Sequence, residues 1–461
     1  MAHPPLVEMS PMLQLYNWVL RPLQFLDDCE QKYGDCFMAQ IGKDTAPLVF
    51  VSHPESVAYL FSNIDQFDVG CTNRSVQYVV GDYSSLLLDG EPHRQRRKLL
   101  LPPFHGDRMR NYGQLIIDIT QQETQSWQPG QPYTMLPVMS EITFQVIMSA
   151  VFGLQREERH QKLKQLLQSF LKMSVSPVIY AIGFFAFLVK STSKWSPVGL
   201  FMHFRDKVDR LIFDEIRDRR AHFDPHKTDI LTLLLSVQDE AGNGLSDQEL
   251  RDELITMLVA GHDSSAATIA WAIYHLATHP EVQEKLVAEI QAAGDADPVQ
   301  MSRLPYLSAV CNESLRLRAA GPTVMQRLTK EPITLQGYEI PANTLVAPCL
   351  YLTQHRTDIY PNPREFRPER FLDRQYSTSE FYPFGGANRY CIGAAFAQFE
   401  MRLVLATILR QYHLTLAQPA PIRAVRRGVN VAPEQGVKIT VTPRSQPAAP
   451  AKAQELIQSQ S

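Results

Sequence analysis

From Ser246 to Thr278 the sequence carries one long helical pattern, and this segment constrains the fold more than any other. Ser246 followed three residues later by Glu249 is the pattern of a capping box that opens a helix, and Pro280 stands just past the end. At 1.5 Å per residue such a helix runs for roughly 50 Å, long enough to cross a domain. Its apolar body is interrupted by Ala260-Gly261-His262-Asp263-Ser264-Ser265. Glycine and polar side chains in the middle of a buried helix break local consistency, and such breaks tend to mark functional sites. The bland alternative is a tolerated glycine with serines bonded back to the backbone.

Around this segment the periodicity is mostly helical from Pro54 to Gly294, with apolar residues at three- and four-residue spacing through Gly113 to Trp127, Glu141 to Phe152 and Met202 to Arg217. Phe37 to Ile41 and Leu48 to Val51 read as a strand pair about the turn-prone stretch Gly42 to Pro47. Ile333 to Leu350 reads as strand, turn and strand, and His413 to Thr442 as a second small sheet. Helices outnumber strands and do not alternate with them, which predicts a mainly α fold with small β-sheets and argues against a doubly wound one. Residues 1–442 are expected to form one domain, and the Pro, Ala and Gln-rich tail, 443–461, to be disordered.

A formal net charge of -3 gives no reason to expect nucleic acid as a partner. The six cysteines, at positions 29, 36, 71, 311, 349 and 391, form no close pair, so neither a zinc ribbon nor a disulfide framework is suggested and a reducing cytoplasm fits. Met1 to Asp28 is broken by prolines and charges, so no transmembrane anchor is expected. The most lipid-like stretch, Pro177 to Val189, is shorter than the roughly 20 residues of a spanning helix and reads as an apolar pocket lid. His275 and His279 have helical metal-pair spacing, but no third ligand accompanies them.

The chemistry concentrates in Phe384-Gly385-Gly386-Ala387-Asn388-Arg389-Tyr390-Cys391-Ile392-Gly393, which runs into the helical pattern Ala394 to Arg410. Glycines allow a tight backbone path that presents a sulfur just before a helix begins. There, free amides and the positive end of the helix dipole favour thiolate over thiol. Phe384, Gly386, Arg389, Cys391 and Gly393 match the cysteine-ligand signature of the cytochrome P-450 family, and the chain resembles that family over roughly Asp35 to Val441. The resemblance implies the family's triangular helical prism, with the long central helix on the distal side of a b-type haem, iron protoporphyrin IX, ligated by Cys391. A thiolate ligand pushes electron density onto iron and promotes O–O cleavage.

Other motifs fall in the family's order. Glu313 and Arg316 lie three apart on a helical pattern, and Phe366-Arg367-Pro368-Glu369-Arg370-Phe371 resembles the meander whose arginine, here Arg370, completes a structural charge triad. Asp263 and Ser264 stand where the family carries an acid and an alcohol that relay protons toward dioxygen. Serine keeps the hydroxyl of the usual threonine but lacks the methyl that restricts it, which puts coupling in doubt more than reaction class. His93 and Arg97, one turn apart, and Arg389 are the candidate partners of the haem propionates, with Arg327 a weaker fourth. Without the family, the run Pro92 to Arg97 is simply a solvated basic face.

The resemblance further implies a substrate pocket of mostly apolar side chains: Val259, Ala260 and Ser264 from the long helix, Ala320, Pro322, Thr323 and Val324, and the stretches Tyr78 to Leu88 and Ile182 to Leu188. Fatty acids, alkanes or terpenoids fit such a lining, as in cyanobacterial members that the chain is similar to. The expected activity is a monooxygenase of the bacterial type without an anchor, using dioxygen and electrons from a ferredoxin and its reductase, for which Arg94, Arg96, Lys98 and Arg402 form a candidate docking face. Three competing readings remain: a peroxide-using haem-thiolate enzyme, a haem isomerase or dehydratase, and a non-catalytic haem or lipid carrier. None of them needs the Asp263–Ser264 pair.

Overall fold

The computed structural model describes residues 2–43, 45–104, 108–153, 158–174, 197–238 and 242–444. The expected lid, Pro177 to Val189, and the pocket stretch Ile182 to Leu188 lie outside the described residues.

The central helix spans Asp247–Thr278 and opens with the full capping box: the Ser246 hydroxyl accepts from the Glu249 amide, and the Glu249 carboxylate accepts from the Ser246 amide. Two orphan amides are thereby satisfied at the point where helix nucleation is hardest. Most of its second half, including Ile269, Ala270, Trp271 and Ile273, is buried, because neighbouring helices and strands pack around it. The Met135–Phe152 helix packs along it, and the Ala394–Gln411, Pro305–Leu317 and Pro197–Ala221 helices complete the core. Among the described residues Met135–Phe152 is the one helix long and apolar enough to cross a membrane, but it is mostly buried against its neighbours. Its apolar length is that of a core helix, and it lies outside the stretch that the sequence singles out as most lipid-like.

The strands form small sheets at the edge of this helical body. Cys36–Ala39 pairs antiparallel with Leu48–Val51, which pairs in parallel with Leu345–Pro348; Arg327–Thr329 and Phe67–Asp68 finish a five-stranded sheet. The segment read as one strand pair, Ile333 to Leu350, is therefore divided. Ile333–Leu335 and Tyr338–Ile340 close a local hairpin, and Leu345–Pro348 joins the distant N-terminal strands. The segment His413 to Thr442 is divided too. Tyr412–Leu416 and Lys438–Pro443 combine into a sheet with Pro132–Thr134, while Ala424–Arg427 and Asn430–Pro433 form a separate hairpin against the central helix. Pro443 ends a strand, and Arg444 reaches Glu284 at 2.7 Å.

Candidate functional site

Between the central helix and the Cys391 loop lies a cavity of about 360 Å³. Cys391 is open on its cavity side yet crowded by protein atoms elsewhere, and this burial raises its thiol against the opposing pull of the Gly393 amide and of Arg97. The loop is closed by the Cys391 amide donating to the Phe384 carbonyl at 2.9 Å and the Gly385 amide donating to the Tyr382 carbonyl at 2.9 Å. Its glycines answer different demands. Gly385 alone of the three adopts positive φ, at 72°, whereas a side chain on Gly386 would strike the Phe61 ring. At Gly393 a Cβ would meet nothing within 4 Å, so the loop keeps open space beside the sulfur.

Three basic side chains meet at the rim of the same cavity. Arg389 donates to Asp89 at 2.6 Å and to the Leu88 carbonyl at 2.5 Å, but its Nε is buried without a partner. Arg97 has no side-chain hydrogen bond or ion pair among the described residues. Burial, Arg389 and Arg97 together push His93 down to about 4, so the ring is neutral at pH 7. Arg327 also lines the cavity, buried over the Phe61 ring at 4.9 Å, and burial lowers it to about 10. Cations crowded together with one carboxylate among them leave a site suited to an anionic group.

The Glu313–Arg316–Arg370 cluster lies apart from the cavity lining. Arg316 binds Glu313 through two bonds of 2.7 and 2.8 Å, Arg370 donates to Glu313 at 2.9 Å, and the Arg367 amide adds a fourth bond at 2.9 Å. Remaining Arg316 donors go to the carbonyls of Gln354, Pro363 and Glu365. The cluster therefore ties the helix Pro305–Leu317 to the chain leading into the cysteine loop.

The polar break in the central helix splits between two faces. Ala260, Gly261, Ser264, Ser265 and Thr268 line the cavity, with the Ser264 hydroxyl donating to the Ala260 carbonyl at 2.5 Å. Asp263 does not line it. Its carboxylate turns to the neighbouring hairpin, where Arg427 donates at 2.8 Å and Asn430 at 3.2 Å. Consecutive residues share the cavity at Ala260–Gly261 and Ser264–Ser265, so it is the pull of Arg427 and Asn430 at the edge of this stripe that holds Asp263 away from it. Gly261 also serves packing, since a Cβ there would stand 3.3 Å from Ile147 on the Met135–Phe152 helix.

Of the other pocket candidates, Ala320, Thr323 and Val324 line the cavity, as do Ser85 and Leu86. Val259 and Pro322 do not. Val259 packs against the core on another face of the helix, and the Pro322 carbonyl accepts from the Tyr351 amide at 3.0 Å. The basic face is also narrower than the sequence implies, because Arg96 is buried between Glu249 and Glu253, leaving Arg94 and Lys98 exposed. Arg402 is half-buried on Gln398 and Ser302. His275 stacks on Phe366 at 4.6 Å, and among the described residues no group of three possible metal ligands exists.

Sequence reasoning passed over two acids. Glu400, on the helix after Cys391, is fully buried beside Ser265, and burial raises it to about 8 against the pull of the Ser265 hydroxyl. Glu253 borders the cavity from a fully buried position behind Ser85, and burial raises it to about 7. The available signal was an acid inside an apolar helical run, as in Phe399-Glu400-Met401.

Comparison with known proteins agrees with this geometry. Residues 2–441 match the protein family described as Cytochrome P450. The chain is 33% identical over 446 residues to cytochrome P450 135B1 of Mycobacterium tuberculosis, covering 96% of this chain and 92% of that protein. It is 30% identical to cytochrome P450 135A1 of the same organism, covering 91% of each. A retinoic acid-bound cyanobacterial CYP120A1 superimposes with a TM-score of 0.84 at 23% identity, covering 96% of this chain and all (100%) of the other. The haem domain of cytochrome P450DA gives 0.84 at 23% identity over 96% of this chain and 98% of that one.

Proposed function

The chain belongs to the cytochrome P450 family, so it is a haem-thiolate monooxygenase, and from that premise we propose that it hydroxylates or epoxidises an apolar substrate such as a fatty acid, alkane or terpenoid. Bound haem supplies the activation of dioxygen and the transfer of one oxygen atom. We assign Cys391 as the iron ligand, because its sulfur opens onto a cavity whose rim carries cations without enough anions to match them. That observation carries the reading. Arg97, Arg389 and His93, with Arg327, would hold the propionates, and the open space at Gly393 leaves room for the porphyrin beside the sulfur. Phe384 and Gly386 shape the loop around it.

Ser264 would hold a proton at the cavity wall, and Asp263, after leaving Arg427, would take one from solvent and pass it on. Glu313, Arg316 and Arg370 hold the loop in place. Substrate would lie against Ala260, Ala320, Thr323 and Val324.

Electrons would come from a ferredoxin and its reductase in the cytoplasm, docking on Arg94 and Lys98. Charge reversal at both positions should slow electron transfer and flatten its salt dependence; unchanged kinetics would remove this face from consideration. The test of the whole assignment is spectroscopic. Reduced protein exposed to carbon monoxide should show the absorption band of thiolate-ligated haem, and a spectrum of nitrogen-ligated haem in fresh material would overturn the role of Cys391.

A further inference from the structure

The central helix meets the cavity along one stripe, in which Glu253, Thr256, Met257, Ala260, Gly261 and Ser264 recur at helical spacing. Between Glu253 and Ser264 the helix rises about 16 Å. Around Ala260 the stripe is apolar, and at the Glu253 end it becomes polar. Glu253 Oε1 accepts from the Ser85 amide at 2.8 Å and from Arg96 at 3.0 Å, while Oε2 accepts only the Ser85 hydroxyl, at 2.9 Å. Thr256 and Ser84 share a bond of 2.7 Å next to it.

The charge balance at this end is negative. Arg96 is shared between Glu253 and Glu249, and Arg251 between Asp252 and Asp209, with Arg205 the third guanidinium facing these four carboxylates. The arginines among the described lining residues are Arg97, Arg327 and Arg389, the three that would hold the haem propionates. Among the described lining residues no arginine is left to receive the carboxylate of a substrate.

We propose that Glu253, presented with Ser85 and Thr256, determines specificity: it selects an elongated apolar substrate whose remote end donates a hydrogen bond, as a hydroxyl or ammonium group does, over one ending in carboxylate. The substrate donor takes the place of the Ser85 hydroxyl on Oε2, and Ser85 turns aside. This rests on the reading that oxidation occurs at the Ser264 end, and it places the oxidised carbon far from the polar terminus. Because burial raises Glu253 to about 7 against the pull of Arg96 and Ser85, the preference depends on pH. Above that value the carboxylate is charged and repels a second one; below it the repulsion fades.

The test uses holoprotein titrated with 1-dodecanol and with dodecanoate, scored by the haem spin-state change at about pH 8 and about pH 6, either side of the Glu253 midpoint. The alcohol is expected to bind at least about tenfold tighter at the higher pH, with a smaller advantage at the lower. Glu253→Gln should remove the pH dependence of that ratio. Equal affinities at the higher pH, or a pH-dependent preference that survives in Glu253→Gln, would overturn the proposal. The wild-type comparison stands even if the variant does not fold. Carbon monoxide spectra of the same samples keep the two readings separate: a thiolate band without the alcohol preference removes only the role of Glu253.

Discussion

Arg316 and Arg370 are buried around Glu313, whereas Arg97 and Arg389 stand half-buried at a cavity, and only in the first pair is each guanidinium bonded to a carboxylate. In the first cluster, one carboxylate and several carbonyls take up most of the donors, so the pair acts as a fixed joint. In the second, Asp89 serves Arg389, Arg97 goes unanswered, and His93 is forced neutral. Desolvated cations cost free energy unless an anion approaches them. A cluster in which every cation is bonded to a carboxylate stabilises the fold, while one that leaves a cation unbonded stores affinity for a ligand.

The contrast is most severely tested at Glu313. Glu313→Gln leaves two buried guanidinium groups without a counter-ion and should cost about 3–5 kcal/mol in denaturant unfolding of the holoprotein. A loss below about 1 kcal/mol would mean that the carbonyls alone hold the joint. Arg97→Leu should behave in the opposite way. Haem affinity, followed by transfer to an excess of a haem-binding acceptor, should fall by roughly ten- to a hundredfold, from a charged hydrogen bond of about 1.5–3 kcal/mol. The haem-free protein should keep its stability or gain some, because an unpaired charge has left a half-buried position. Equal destabilisation of both forms would make Arg97 another structural arginine.

The smallest effect is expected at His93. In haem-free protein its ring should titrate near 4, below the usual 6.5, and NMR should show the midpoint rising once haem is bound. Folding of the haem-free form should weaken as pH falls from about 6.5 toward 4, because the unfolded histidine takes a proton that the folded one refuses. An unchanged midpoint on haem binding would place the propionates elsewhere.

Much of the candidate site was legible because its chemistry is local in sequence. The ten residues from Phe384 to Gly393 contain the sulfur and the turn glycine and lead straight into the following helix, and Glu313 and Arg316 share a helix face whatever surrounds them. The long helix was equally plain, since Ser246 and Glu249 declare its start. Sheet membership was less so: Leu345–Pro348 reads like the partner of the preceding strands, yet its parallel neighbour lies near the N-terminus. Pairing across such distances leaves no local trace.

By itself the sequence determined the family and the mainly helical class, and it singled out Cys391 as the proposed ligand with the candidate residues around it, because these depend on residue type and short spacing. Only the tertiary structure decided which way those side chains turn. Asp263 goes to Arg427 instead of the cavity, Arg96 is enclosed by two glutamates, and Glu253 comes to line the pocket. The physical reason is that burial and charge pairing are properties of what packs against a residue, and for each of these side chains a decisive partner comes from a distant part of the chain.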